Sequence, residues 1–166
     1  MNTIKSSLLL SALLLTSSHA MAQWSGAISY SDLSDDDLSL GTINLHGAYE
    51  FKTRNSAFSY MPEIRLGIGI KDESVNNLNV KADQFMSAGM RLSYYTSDTI
   101  SLFLVPSYGR LGISVKVNGM TIDDSSNEFG IGGGISAQIA EDMKAEASYE
   151  DFGGTGVLSF GLRYQF

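Results

Sequence analysis

The sequence predicts an all-β chain: eight antiparallel strands, connected as an up-and-down meander, closed into a transmembrane β-barrel. Three observations predict it. The last eight residues alternate strictly, with Phe160, Leu162, Tyr164 and Phe166 apolar and Ser159, Gly161, Arg163 and Gln165 small or polar. A period of two marks a strand with one apolar and one polar face. Seven earlier segments repeat this alternation. No stretch after residue 22 approaches the ~18 to 20 apolar residues that a membrane helix needs. Lipid satisfies no backbone hydrogen bonds, so strands cross a bilayer only as a closed barrel.

The first strand is expected at about 24–31, with Trp24, Ile28 and Tyr30 opposite Ser25, Ala27 and Ser29. The second, about 40–51, sets Ile43, Leu45, Tyr49 and Phe51 against Asn44, His46 and Glu50. The third, about 60–71, sets Ile64, Leu66, Ile68 and Ile70 against Glu63, Arg65, Gly67 and Gly69. The fourth, about 81–95, sets Met86, Ala88, Met90, Leu92 and Tyr94 against Ser87, Gly89, Arg91 and Ser93. The fifth starts at Ile100, with Leu102, Leu104 and Tyr108 opposite Ser101, Ser107 and Gly109. The sixth runs to about Ile139, with Phe129, Ile131, Ile135 and Ala137 opposite Glu128, Gly130, Gly132, Gly134 and Ser136. The seventh, about 143–152, sets Ala145, Ala147 and Tyr149 against Lys144, Glu146, Ser148 and Glu150. The eighth is 157–166. Each has roughly the 9 to 11 residues that a tilted membrane strand requires.

The connections alternate in length. Segments 52–59, 96–99 and 140–142 are fairly short and polar, whereas 72–80 and 111–127 are longer and 32–39, equal to 52–59 in length, is grouped with them. Asn118-Gly119 is a strong two-residue turn signal. A turn there sets Val117 opposite Met120, Tyr108 opposite Phe129, Pro106 opposite Ile131, Leu104 opposite Gly133 and Leu102 opposite Ile135, with no bulge. Beyond Tyr108 and Phe129 the apolar face changes sides. Leu111, Ile113, Val115, Val117, Met120 and Ile122 continue the lumen face, and Arg110, Ser114, Lys116, Thr121, Asp123 and Ser125 the outer one. This predicts a ribbon that rises above the membrane boundary and folds its apolar face over the barrel mouth. Pro106 fits this strand poorly, because it has no N–H to give to the ladder.

Residues 1–22 read as a signal peptide and 23–166 as the barrel domain. Lys5 is the positive start, Leu8 to Leu15 the apolar core, and Ala20-Met21-Ala22 the cleavage site. Removing Lys5 with this segment takes the formal charge from −7 to −8. An acidic chain excludes nucleic acid as the expected partner. There is no Cys, so disulfides and thiolate chemistry drop out.

The predicted lumen carries Glu50, Glu63, Glu128, Glu146 and Glu150 with Arg65, Arg91, Lys144 and Arg163. An eight-stranded barrel is just wide enough for side chains to fill, so near-balanced charges there predict a paired core. A narrow conducting path is the alternative. No catalytic, cofactor-binding or metal residue is assigned. His46, the one His after residue 22, has no Ser or carboxylate partner at motif spacing. Asp32, Asp35, Asp36 and Asp37 could hold a divalent ion, but their spacing is not that of an EF-hand. Gly132-Gly133-Gly134 and Gly153-Gly154 follow no phosphate-loop motif, and on a strand glycines permit close packing.

The polar-x-Gly-x-x-aromatic-x-aromatic ending of Ser159–Phe166, the eight alternating segments and Glu150-Asp151-Phe152-Gly153 resemble the small OmpA/OmpX-type outer-membrane β-barrel superfamily. The resemblance covers 23–166. It implies a monomeric protein of the Gram-negative outer membrane, both termini periplasmic, in contact with outer-membrane lipid and lipopolysaccharide. Its ending, through Ser159, Gly161, Tyr164 and Phe166, resembles the signal read by the barrel assembly machinery. It also implies that function is structural or lies in the outer loops, as adhesion, surface interaction or envelope integrity. An extracellular partner would then meet loops 32–39 and 111–127. A porin-like channel is the second reading and a lipid A-modifying enzyme the third.

Overall fold

In the computed structural model, backbone is described for residues 20–35, 38–53, 56–71, 73–75, 78–117 and 120–166. Side chains are described for 23–34, 39–52, 56–71, 81–114 and 124–166. The strands are β1 (Ala20–Asp35), β2 (Leu38–Thr53), β3 (Phe58–Lys71), β4 (Glu73–Val75), β5 (Leu78–Tyr95), β6 (Ile100–Val117), β7 (Met120–Ala140), β8 (Met143–Phe152) and β9 (Thr155–Gln165). β4 prolongs β3, so eight strands make the wall. Neighbours in sequence are neighbours in space, β3 pairs with β5, and β9 closes on β1.

The closure can be followed pair by pair. Ser31 pairs with Ser159, Ser159 with Ser148, Ser148 with Gly134 and Gly134 with Phe103. Phe103 pairs with Ser93, Ser93 with Ser59, Ser59 with Lys52 and Lys52 with Met21. The circuit leaves β1 at Ser31 and returns at Met21, ten residues away, which is the stagger that tilted strands need to close.

Apart from Glu128, the expected faces of the wall are those observed. Along β3, exposure alternates from Phe58 through Gly67. Trp24, Leu45, Ile68, Leu104, Ile131 and Phe160 are exposed on the outside, while Ser25, Asn44, Arg65, Ser107, Glu150 and Arg163 are buried within. Apolar-out and polar-in alternation suits hydrocarbon outside and a hydrogen-bonded interior. Ring contacts link Trp24 to Tyr49, Tyr49 to Phe51 and Phe51 to Tyr60, with centroids 4.8, 4.8 and 4.9 Å apart. This aromatic row lies at the end of the barrel that holds Phe166. The Phe166 N–H donates to the Trp24 carbonyl at 2.9 Å, fixing the last residue to β1.

At the other end the expected loops are mostly hairpin arms. β1 and β2 stay paired to Asp35–Leu38, β4 and β5 to Val75–Leu78, and β6 and β7 to Val117–Met120. The tips at 36–37, 76–77 and 118–119, including the Asn118-Gly119 turn, lie outside the described residues. The β6–β7 register is the one expected, from Tyr108–Phe129 through Leu102–Ile135, without a bulge. The 96–99 turn also falls where expected. β9 begins at Thr155 rather than Val157, because Gly153 and Gly154, with φ of 61° and 106°, close the turn from Phe152 to Thr155. Positive φ favours glycine at both positions.

One irregularity has a large effect on facing. The β5–β6 register shifts between Ala82 and Gln84. The extra residue, Asp83, turns Ala82 inward to complete burial and leaves Lys81 exposed. A bulge of this kind inverts the inside–outside parity above it. Ser114 on β6 pairs with exposed Lys81, on the expected outer side, where it is buried and donates to the Asp83 carboxylate. Leu111 is half-buried on the lumen side, as expected. The side chains of Val115, Val117, Met120 and Ile122 lie outside the described residues.

Candidate functional site: a side-chain-filled lumen beneath an outer hairpin sheet

The lumen is filled in layers. Nearest the Phe166 end, Glu50 accepts hydrogen bonds from Ser59 (2.6 Å), Tyr95 (2.6 Å) and Gln165 (2.9 Å). The Lys52 ammonium sits 3.7 Å from the centre of the Tyr95 ring. Lys144 donates to the Tyr95 hydroxyl at 3.4 Å.

The middle layer is an ion network. Arg91 grips Glu146 with two hydrogen bonds of 2.7 and 3.0 Å. Arg163, 1% exposed, donates to Glu146 at 2.9 Å, to Glu63 at 2.5 Å and to the Ser25 hydroxyl at 3.1 Å. Arg65 forks onto Glu150 at 2.5 and 2.8 Å, and its Nε lies 3.2 Å from Glu63. Ser107 donates to Glu150 at 3.3 Å. The Arg91 guanidinium also stacks over Phe103, 3.9 Å from the ring centre. Two-pronged Arg–carboxylate pairs are the geometry that best offsets the desolvation of buried charge.

His46 shows what the sequence did not. Its Nε2 lies 2.8 Å from Ser29 Oγ, and its Nδ1 lies 3.4 Å from Glu63 Oε1. No Ser or carboxylate stands at motif spacing in the sequence, but the fold brings both to the ring. The partners lie on β1 and β3, beside the direct cross-strand neighbours Ala27 and Arg65. Only the pairing register could have revealed them. A hydroxyl, an imidazole and a carboxylate in this order have the geometry of an activated nucleophile. Here Glu63 is committed to Arg91, Arg163 and Arg65. The adjoining cavity is about 20 Å³, room for about one water and not for a substrate. All three side chains take part in the hydrogen-bonded interior of the barrel.

Above the ions an apolar plug closes the outer mouth. Leu33, Leu40, Ala82, Phe85, Phe152 and Val157 are buried together, with Leu111 packed against them. Phe85 and Phe152 meet edge to face at 5.7 Å. Glu128, expected in the lumen, is exposed at the rim beside Gly153 and takes part in no ion pair among the described residues. Asp32, also at the rim, accepts from Ser39 at 3.1 Å and lies 4.0 Å from Lys71. The side chain of Asp35 and residues Asp36 and Asp37 lie outside the described residues. No group of three metal-binding side chains occurs among the described residues.

The outer hairpins are unequal in height. β8 pairs with β7 only as far as Gly130–Phe152, while β6 and β7 continue together to Val117–Met120. β5 accompanies β6 to Asn79–Lys116. The result is a sheet of β4, β5, β6 and β7 rising over one side of the mouth. On its far side the β7 edge at 120–129 has no strand partner among the described residues.

Residues 8–166 match the family described as outer membrane protein beta-barrel domain. No curated protein matches the chain. Among solved structures it is similar to Ail, the attachment invasion locus protein of Yersinia pestis, in complex with the heparin analogue sucrose octasulfate. The TM-score is 0.62 at 17% identity, over 89% of this chain and 99% of that one. It is also similar to Neisserial surface protein A, with TM-score 0.56 and 15% identity over 89% and 99% of the two chains. The N-terminal β-barrel domain of Pseudomonas aeruginosa OprF gives 0.60 and 12% over 88% and 100%. At these identities the likeness is one of fold. The family match, the closed meander, the lipid-suited outer face and the ion-paired interior agree: the chain belongs to the outer membrane protein β-barrel domain family.

Proposed function

We propose that this protein is a monomeric surface-interaction protein of the Gram-negative outer membrane, whose working part is the outer sheet of β4 to β7. The observation that carries this reading is the in-register continuation of β6 and β7 beyond the last β7–β8 pair, Gly130–Phe152. It leaves the 120–129 edge without a strand partner among the described residues. Exposed edges template pairing with another chain, and extended segments dock on them by adding a strand. Residues 1–22 serve as the export signal, whose last three residues extend β1 against 51–53 in the uncleaved chain; both termini of the processed protein lie in the periplasm, and Ser159, Gly161, Tyr164 and Phe166 present the assembly signal. Lipopolysaccharide surrounds the outer half of the wall.

Charge narrows the class of partner. Among the described side chains, the outer segments carry Asp32, Asp83, Asp124, Glu128 and Asp151 against Lys71, Lys81 and Arg110. A sulfated polyanion of the kind seen with Ail would meet repulsion here. A protein surface with basic character fits better. The buried ion network and apolar plug support a role outside the lumen, and the small cavity beside His46 supports a non-enzymatic one.

Replacing residues 112–125 by a two-residue Asn-Gly turn cuts the ribbon just above the Leu111–Ser126 pair. The heat-dependent gel shift of the folded barrel should persist. Adhesion to cultured epithelial cells by bacteria displaying the variant should fall at least tenfold against the intact chain. Undiminished adhesion by the shortened protein would refute the ribbon as the working part.

A further inference from the structure

The chain has two prolines, and both lie in the wall. Pro62 on β3 pairs with Met90 on β5, and Pro106 on β6 pairs with Ile131 on β7. The register that joins Gly89 to Ser107 and Leu92 to Leu104 sets Met90 opposite Pro106 as well. The two prolines thus stand at one height, on either side of β5. The β2–β3 ladder is interrupted between Ala48–Glu63 and Phe51–Tyr60, and the β5–β6 ladder between Gly89–Ser107 and Leu92–Leu104. A proline donates nothing to a ladder, which explains both gaps. In hydrocarbon no water replaces the lost bond.

Next to this proline row, toward the Phe166 end, the outer wall holds a cleft of about 730 Å³. Its lining includes Phe51, Phe58, Tyr60, Leu92, Tyr94 and Leu104. Phe51 and Tyr60 stack at 4.9 Å with planes 10° apart, and Phe58 and Tyr94 meet at 4.9 Å. Two ring pairs thus wall a groove floored by leucines. It is continuous with the lipid-facing surface and open to it, as a groove for an extended apolar chain must be.

We propose that this cleft binds one acyl chain of an inner-leaflet phospholipid, and that the two proline seams loosen the wall so that it can receive the chain. Location selects the occupant. The cleft opens on hydrocarbon, and it ends at the short 96–99 side of the barrel, where the aromatic row meets the headgroups. The leaflet assignment rests on the periplasmic placement of the termini; it does not depend on the outer ribbon.

The test is native mass spectrometry of the refolded barrel, released from detergent micelles doped with palmitoyl-oleoyl phosphatidylethanolamine or with lipid A. Leu92→Trp and Leu102→Trp fill the cleft from two strands, so one suffices if the other does not fold. Ile68→Trp adds the same bulk elsewhere on the lipid face. The expected result is a dominant one-phospholipid adduct in the intact protein and in Ile68→Trp, reduced at least tenfold in the cleft variants. A graded series of adducts common to all forms, meaning annular lipid only, would overturn the proposal. So would a one-lipid adduct that survives filling the cleft, or a preference for lipid A.

Discussion

Arg163→Met is expected to destabilise the folded barrel by roughly 3 to 5 kcal/mol, the range for removing one partner of a buried ion network. The guanidinium is 1% exposed and holds Glu63, Glu146 and Ser25 at once. Methionine fills much of the same volume, so the loss is electrostatic rather than a cavity. It leaves Glu146 with Arg91, and Glu63 with Arg91, Arg65 and His46. Adding Glu146→Gln removes one uncompensated carboxylate and should recover part of the loss. Trp24 is the only tryptophan, and its emission during urea unfolding in lipid vesicles reports the change. A single-variant effect below about 1 kcal/mol, a surface-pair magnitude, would show that the network is solvated and not a core.

Gly132→Ala is expected to prevent formation of the heat-modifiable barrel, while Gly133→Ala, one residue along, should fold. The contrast comes from the strand's period of two. A Cβ on Gly132 would point inward and overlap Glu150 Cγ and the Tyr149 carbonyl oxygen. Relief would require moving β8 backbone or displacing the carboxylate that holds Arg65. A Cβ on Gly133 points to lipid and meets its nearest atom, the Phe103 carbonyl oxygen, at 3.0 Å. Refolding yield read by gel shift decides between them. Equal yields would mean that β7 and β8 do not pack as closely as described.

The two faces of the wall were legible because alternation is a local property of sequence, and hydrocarbon enforces it strand by strand. Asn118-Gly119 carried more, since one turn fixes every pair of its hairpin, and Tyr108–Phe129 through Leu102–Ile135 followed. What sequence could not supply depends on other strands. Asp83 reads as an ordinary polar residue, and nothing near it announces the bulge that buries Ala82. His46 found Ser29 and Glu63 through pairing register rather than spacing. The sign of each lumen charge was readable, but not that Arg163 would bridge two carboxylates or that Glu128 would stand at the rim. Phe85 and Phe152 meet across the mouth from β5 and β8, a contact set by curvature. Pro106 looked like an isolated defect until the structure set Pro62 at its height.

The central claim is that the lumen is sealed by its own side chains and that function lies outside it. Conductance of the refolded protein, lacking residues 1–22, in a planar bilayer tests this most directly. With folding confirmed by the gel shift on heating, the predicted result is a silent membrane under applied voltage. Steady, reproducible single-channel openings would contradict the claim, and would mean that the Arg91, Arg163, Glu63 and Glu146 network lines a path for ions.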